Sequence, residues 1–201
     1  MRRQTWSIRA IFFGVVGLTA AGAVIFTWAG VYDVGADRPH SRLVSWGLAK
    51  IRQRAIEVRA SQIAVPRLDD TSRIARGAVE YDAMCVECHL APGVLESELR
   101  SGLNPMPPEL SKVEILPAQA FWVIKHGIKM TGMPAWGKTH DDDAVWSIVA
   151  FLELLPTLNP ETYRAVLTTA RASEAHDMDH THHHHGDESA ENGSGAHHHE
   201  D

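Results

Sequence analysis

Cysteine is nearly absent from this chain, with only Cys85 and Cys88 in 201 residues. A structural zinc site built on that pair would need a second ligand pair at matching spacing, and there is no second cysteine pair. No convincing alternation of apolar and polar residues occurs between Thr71 and Pro156. That argues against sheet, and against the βαβ setting in which a thioredoxin-like cysteine pair works. A basic stripe suited to nucleic acid is missing too, because the centre of the chain is acidic and the early basic residues flank an apolar run. From Ala10 to Tyr32 there is no charge at all.

That uncharged run is the first positive signal. Its 21 residues Ile11–Val31 would span roughly 32 Å as a helix, enough to cross the hydrocarbon core of a bilayer. Arg2, Arg3 and Arg9 precede it, and Trp28 and Tyr32 sit where aromatic residues settle at a membrane interface. A cleaved signal peptide is the rival reading, since Ala20-Ala21-Gly22-Ala23 supplies small residues. The apolar run, however, continues through Val24-Ile25-Phe26, longer than a cleavable core of about 7–15 residues. The sequence therefore predicts residues 1–9 outside the bilayer, an uncleaved anchor over 10–32, and a linker over 33–66.

Charge divides the rest of the chain. Residues 1–65 hold nine Lys/Arg against three Asp/Glu, residues 66–160 eight against thirteen, and residues 161–201 two against nine. In the linker, Val44, Leu48, Ile51, Ala55 and Val58 recur at helical spacing, accompanied by Arg42, Lys50, Arg52, Arg54 and Arg59. Such a helix packs on the following domain or lies on the membrane surface; a sharper reading makes it a docking surface for a partner complex. Asp33, Asp37 and His40 read as solvated linker residues.

Cys85-Val86-Glu87-Cys88-His89 is a C-x-x-C-H motif. Two thiols at that spacing can add across the two vinyl groups of a haem, and the adjacent imidazole is then held beneath the iron. Upstream, Asp69 or Asp70 can cap a helix running through Ile74, Ala75, Ala78 and Tyr81 to Met84. Gly77 within it costs about 1 kcal/mol relative to Ala, which suggests close approach by another helix. Downstream, Pro117 to His126 reads as a helix ended by Gly127, and Asp141–Asp143 open a third that stops before Pro156.

A second axial ligand would complete the iron, and a soft thioether would raise its potential. Met106, Met130 and Met133 are the candidates. Met133 leads, because it lies between Gly132, which permits close approach, and Pro134, which stiffens the backbone. His126 is a bis-histidine alternative, although histidine at a helix end commonly caps carbonyls. His140 reads as a surface residue near a helix start.

From Thr71 to Pro156 these features resemble the class I, mono-haem cytochrome c family: Gly77 and Tyr81 before the motif, Pro92-Gly93 after it, the Gly132-Met133-Pro134 loop, and Phe151 in the last helix. The resemblance implies an all-α cytochrome c fold over 67–160 in which first and last helices cross at the glycine and aromatic. It implies one covalent haem c on Cys85 and Cys88, with His89 supported by the proline that follows the motif. Gly102–Pro108 would wrap one haem edge, making Met106 a wall residue. Haem attachment would lie on the outer side of a bacterial cytoplasmic membrane, placing the domain in the periplasm.

The chain ends in a His- and acid-rich tail over 161–201, expected to be disordered from about 174. His176, His180, His182, His183, His184, His185, His197, His198 and His199 could bind Cu, Ni or Zn. The sequence reading is thus a membrane-anchored electron carrier rather than an enzyme, serving an oxidase, a quinol-oxidising complex or a dehydrogenase. A small-molecule sensor in which Met133 leaves the iron, and a metal-binding module built on the tail, are the alternatives.

Overall fold

The computed structural model describes residues 2–183. Among them every regular element is a helix and no strand occurs. The chain divides into two units, Met1–His40 and Ser41–Asp201.

The first unit is built on α1 (Arg2–Trp28). Its segment Ile8–Trp28 has the length and apolar composition to cross a membrane. That span starts two residues earlier than the uncharged run suggests, taking in Arg9, and ends earlier because the chain turns at Ala29 and Gly30. In the linker that follows, the Tyr32 hydroxyl meets His40 Nδ1 at 2.7 Å, and Asp33 pairs with Arg38 at 3.1 Å.

The second unit begins with α2 (Arg42–Ala60), opened by Ser41, whose hydroxyl accepts from the Val44 amide. Next comes α3 (Thr71–Met84), capped by Asp70, whose carboxylate accepts from the Ser72 and Arg73 amides. The single turn α4 (Val86–His89) carries the cysteine motif, and α5 (Glu98–Ser101) is another single turn. α6 (Pro117–His126) starts on a proline, whose missing N–H costs nothing at that position, and ends at Gly127. α7 (Asp142–Leu154) is capped by Asp141 and stops before Pro156; α8 runs Pro160–His183.

The core forms where α3 crosses α7. A Cβ on Gly77 would fall 1.8 Å from the Ser147 carbonyl oxygen, so only glycine permits this approach. Polar groups clamp the crossing. Arg73 and Arg76 both pair with Asp143, at 2.7 and 2.5 Å, and Arg76 Nε donates to the buried Ser147 hydroxyl at 3.1 Å. Below it Tyr81 and Phe151 pack at 5.5 Å between ring centres, both fully buried. A second cluster joins α6 to α7, where Phe121 stacks on Trp146 at 4.1 Å.

The domain does not end near residue 160. Asn159 caps α8, accepting from the Glu161 and Thr162 amides, and the helix lays Tyr163, Leu167 and Ala170 against α3. The Tyr163 hydroxyl donates to Asp82 at 2.8 Å, and Arg171 pairs with the same carboxylate at 2.5 Å. The residues responsible, Tyr163, Val166, Leu167 and Ala170, stand at helical spacing inside a stretch whose overall composition is that of a tail. The backbone remains helical to His183, through residues without proline or glycine, where the tail's composition predicted none.

Candidate functional site

The cysteine motif is one helical turn added to the end of α3. The Cys85 amide donates to the Tyr81 carbonyl, and the Cys88 and His89 amides both donate to the Cys85 carbonyl, at 3.1 and 2.8 Å. Leu90 then takes a positive φ of 58° and breaks the helix. Its carbonyl accepts from the buried Tyr81 hydroxyl at 2.6 Å, so the residue just after the motif is tied back to the core. Both cysteines are free thiols. Burial, reinforced by Cys88 and Glu80, pushes the Cys85 thiol up to about 12, and burial beside Glu87 also raises that of Cys88.

His89 is oriented by a residue 19 positions away. Its Nδ1 lies 2.9 Å from the Pro108 carbonyl oxygen, which can only accept, so Nδ1 carries the proton and Nε2 is left with its lone pair. Burial and the Arg100 charge depress its pKa, against the opposing effect of the Pro108 bond, and the neutral ring is favoured. The loop supplying Pro108 is fastened to its surroundings: Ser97 donates to the Glu87 carbonyl, and Arg100 donates to the Pro107 carbonyl at 3.3 Å. Pro92, assigned by resemblance to support the histidine, is half-buried, and the carbonyl that accepts from His89 Nδ1 is that of Pro108 instead.

Cys85, Cys88 and His89 line a cleft of about 260 Å³, and Met133 lines it as well. Met133 is presented by a tight loop. Gly127, at φ 64°, reverses the chain after α6, and a Cβ there would meet the Pro134 carbonyl carbon at 2.7 Å. The Ile128 amide donates to the Met133 carbonyl, and the Met133 amide donates to the Thr131 hydroxyl at 3.1 Å. Gly132 lets this loop press on Leu103, where a Cβ would fall 2.6 Å from a methyl carbon.

The other methionines differ. Met130 is 99% exposed, has a positive φ of 59°, and does not line the cleft. Met106 lines it but is more than half exposed, on the proline-rich segment with Pro105, Pro107 and Pro108. Met84 lines it from the end of α3, directly before Cys85. Neither His126, packed on Trp122 at 5.1 Å, nor His140, beside Trp136 and the Thr139 hydroxyl, reaches the cleft.

One lining residue was not anticipated as part of the site. Arg52, on α2, is the cationic side chain at this cleft, and nothing in the local sequence around the motif signals it. Among the described residues no group of three His, Cys, Asp or Glu is arranged to hold a bare metal ion. As side chains, the candidate metal ligands His176, His180, His182, His183, His184, His185, His197, His198 and His199 lie outside the described residues.

The donor set fits a covalently held haem. Two unpaired thiols and an imidazole with a free Nε2 meet at one wall, and a thioether sulfur shares the cleft. Leu103, Ile115, Val123, Ile124, Ile128 and Leu152 make most of the remaining surface apolar, with Arg52, Gln119 and Thr131 its polar members.

The family model described as cytochrome c oxidase, cbb3-type, subunit III matches residues 72–152. No curated protein and no solved structure matches the chain. Residues 72–152 are accordingly a mono-haem c-type cytochrome domain, binding one covalent haem c for electron transfer, on a chain whose apolar N-terminal helix fits a membrane anchor.

Proposed function

We propose that Cys85 and Cys88 would hold a haem through thioethers, with His89 Nε2 and the Met133 sulfur as the two side-chain ligands to its iron. On this reading the protein passes single electrons at the outer face of a bacterial cytoplasmic membrane. The observation carrying it is the sharing of one apolar cleft by those four side chains. Bound there, haem supplies one-electron iron chemistry with both ligands retained.

The chain's own residues do the rest. The Pro108 carbonyl holds the imidazole in one tautomer and one orientation, and strengthens it as a donor. The loop closed by Gly127 and Thr131 holds the sulfur with little freedom, which keeps reorganisation on electron transfer small. Apolar walls would exclude water from the bound group and, with the Met133 thioether, would favour its less charged, reduced state. Arg52, which lines the cleft, would supply a positive charge to a carboxylate of the bound group. α1 would cross the bilayer, and the matched family's name suggests a terminal oxidase complex as the redox partner.

The test is an absorption spectrum of periplasm-exported protein, oxidised, reduced, and reduced with carbon monoxide. We expect a low-spin haem with the weak long-wavelength sulfur–iron band and no response to carbon monoxide. Met133→Ala abolishes the band and admits carbon monoxide, whereas Met130→Ala changes neither. A wild-type protein that is high-spin, or that binds carbon monoxide, overturns the Met133 assignment.

A further inference from the structure

We infer that α2 lies on the surface of an anionic phospholipid bilayer, its apolar face in the headgroup–acyl boundary. The inference rests on α1 anchoring the chain and does not depend on the iron ligands. The two faces of α2 have different fates. Ala49, Ile56 and Ala60 turn inward, Ala60 is buried, and the helix packs on α6, with Arg59 over the Trp122 ring at 5.9 Å. Its larger apolar residues point the other way. Leu43 is 76% exposed and Ile51 69%, with Val44, Leu48 and Val58 also open to solvent, and the exposed Trp46 stands about 60° beyond Leu43. At 100° per residue these five fall within an arc of about 140°, which Arg54 enters near the Leu43 edge.

The edges of that arc are basic. Lys50 stands just outside one edge and Arg54 just inside it, Arg52 and Arg59 lie beyond the other, and Glu57 is the helix's one acidic residue. A strongly apolar stripe between cationic borders is the signature of a helix bound in an interface plane, with the cations meeting lipid phosphates. Two further observations select lipid over a protein. The domain that follows, residues 66–160, carries thirteen Asp/Glu against eight Lys/Arg, so the positive charge is concentrated on the membrane-proximal part of the chain. Only 13 residues join Trp28 to Arg42, at most about 45 Å of chain, so α2 cannot leave the vicinity of the bilayer that α1 enters.

The placement has a consequence for the site. Arg52 stands at one edge of the stripe and also lines the cleft. A docked α2 therefore holds one rim of the cleft close to headgroup level, within range of membrane-embedded redox partners.

Photo-crosslinking of full-length holoprotein in liposomes tests this. Benzoyl-phenylalanine replaces either Ile51, on the stripe, or Gln53, roughly 200° away around the helix. In phosphatidylcholine–phosphatidylglycerol vesicles the Ile51 position gives a lipid adduct and the Gln53 position gives severalfold less. Omitting phosphatidylglycerol lowers the adduct, and Lys50→Gln and Arg54→Gln each lower it about fivefold. Equal labelling at both positions, a crosslinked dimer at position 51, or insensitivity to lipid charge would overturn the proposal. Resistance to alkaline extraction is measured in parallel, so a failed anchor is told apart from a helix that does not dock.

Discussion

Gly77→Ala concentrates the packing argument into one methyl group. The added Cβ would fall 1.8 Å from the Ser147 carbonyl oxygen, 2.4 Å from its carbon and 3.0 Å from the Ile148 nitrogen. All three are backbone atoms of α7, so no rotamer change relieves the clash, and the helices must separate by more than an ångström. That movement opens the α3–α7 seam lined by Ala78, Tyr81, Ile148 and Phe151, all fully buried. Overpacking costs about 3 kcal/mol at the upper end of its range, and alanine returns about 1 kcal/mol of helix propensity. The net loss is about 2 kcal/mol, or roughly 8 °C in melting temperature for a domain of this size. Gly47→Ala is the control. It is also mid-helix, on α2, but a Cβ there meets nothing within 4 Å, so only the propensity gain of up to about 1 kcal/mol remains. The assay is thermal and urea unfolding of both holoproteins by circular dichroism. A Gly77→Ala protein as stable as wild type would refute the claim that backbone contact at this crossing governs the fold.

Three further outcomes follow from the same geometry. Asp143 is held below its usual 3.8 by the hydrogen bond from Arg76 and the charges of Arg76 and Arg73, so its contribution is present above that pH and lost as pH falls through the lowered value. Asp143→Asn should therefore cost about 1 kcal/mol or less at neutral pH, given its exposure, and converge with wild type in acid unfolding titrations. Arg52→Leu removes a positive charge from the cleft and should lower the midpoint potential by roughly 40 mV, equivalent to about 1 kcal/mol, in a spectroelectrochemical titration; an unchanged potential would separate Arg52 from the haem. A chain stopped after Asn159 loses the burial of Tyr163 and Leu167 and should be destabilised by about 4 kcal/mol, whereas one stopped after Ser173 should melt with wild type.

Much of this was local information. Asp70, Gly127, Asp141 and Pro156 bound their helices through caps and breakers that act within a few residues, and the helices they delimit are found there. Gly77 announced a close contact without naming its partner. Tyr163, Val166, Leu167 and Ala170 carried a helical pattern that the surrounding acid- and histidine-rich composition hid, so the domain's last helix was missed. Arg52 and the Pro108 carbonyl were invisible for another reason. They reach the cleft from elements distant in sequence, and neither residue type is distinctive on its own.

Residue identity and spacing along the chain therefore carry the chemistry and the local structure: an apolar span, a C-x-x-C-H turn, and helices with marked ends. Those depend on neighbours in the chain. Packing in three dimensions is what places Met133 rather than Met130 on the cleft, sets Pro108 against His89, and turns the apolar face of α2 away from the domain. Each is set by which surfaces meet when α3, α6 and α7 pack, and α2 has two faces that could have served. Its inner face carries the small residues Ala49 and Ala60 that fit against α6, and its larger apolar side chains are left outside.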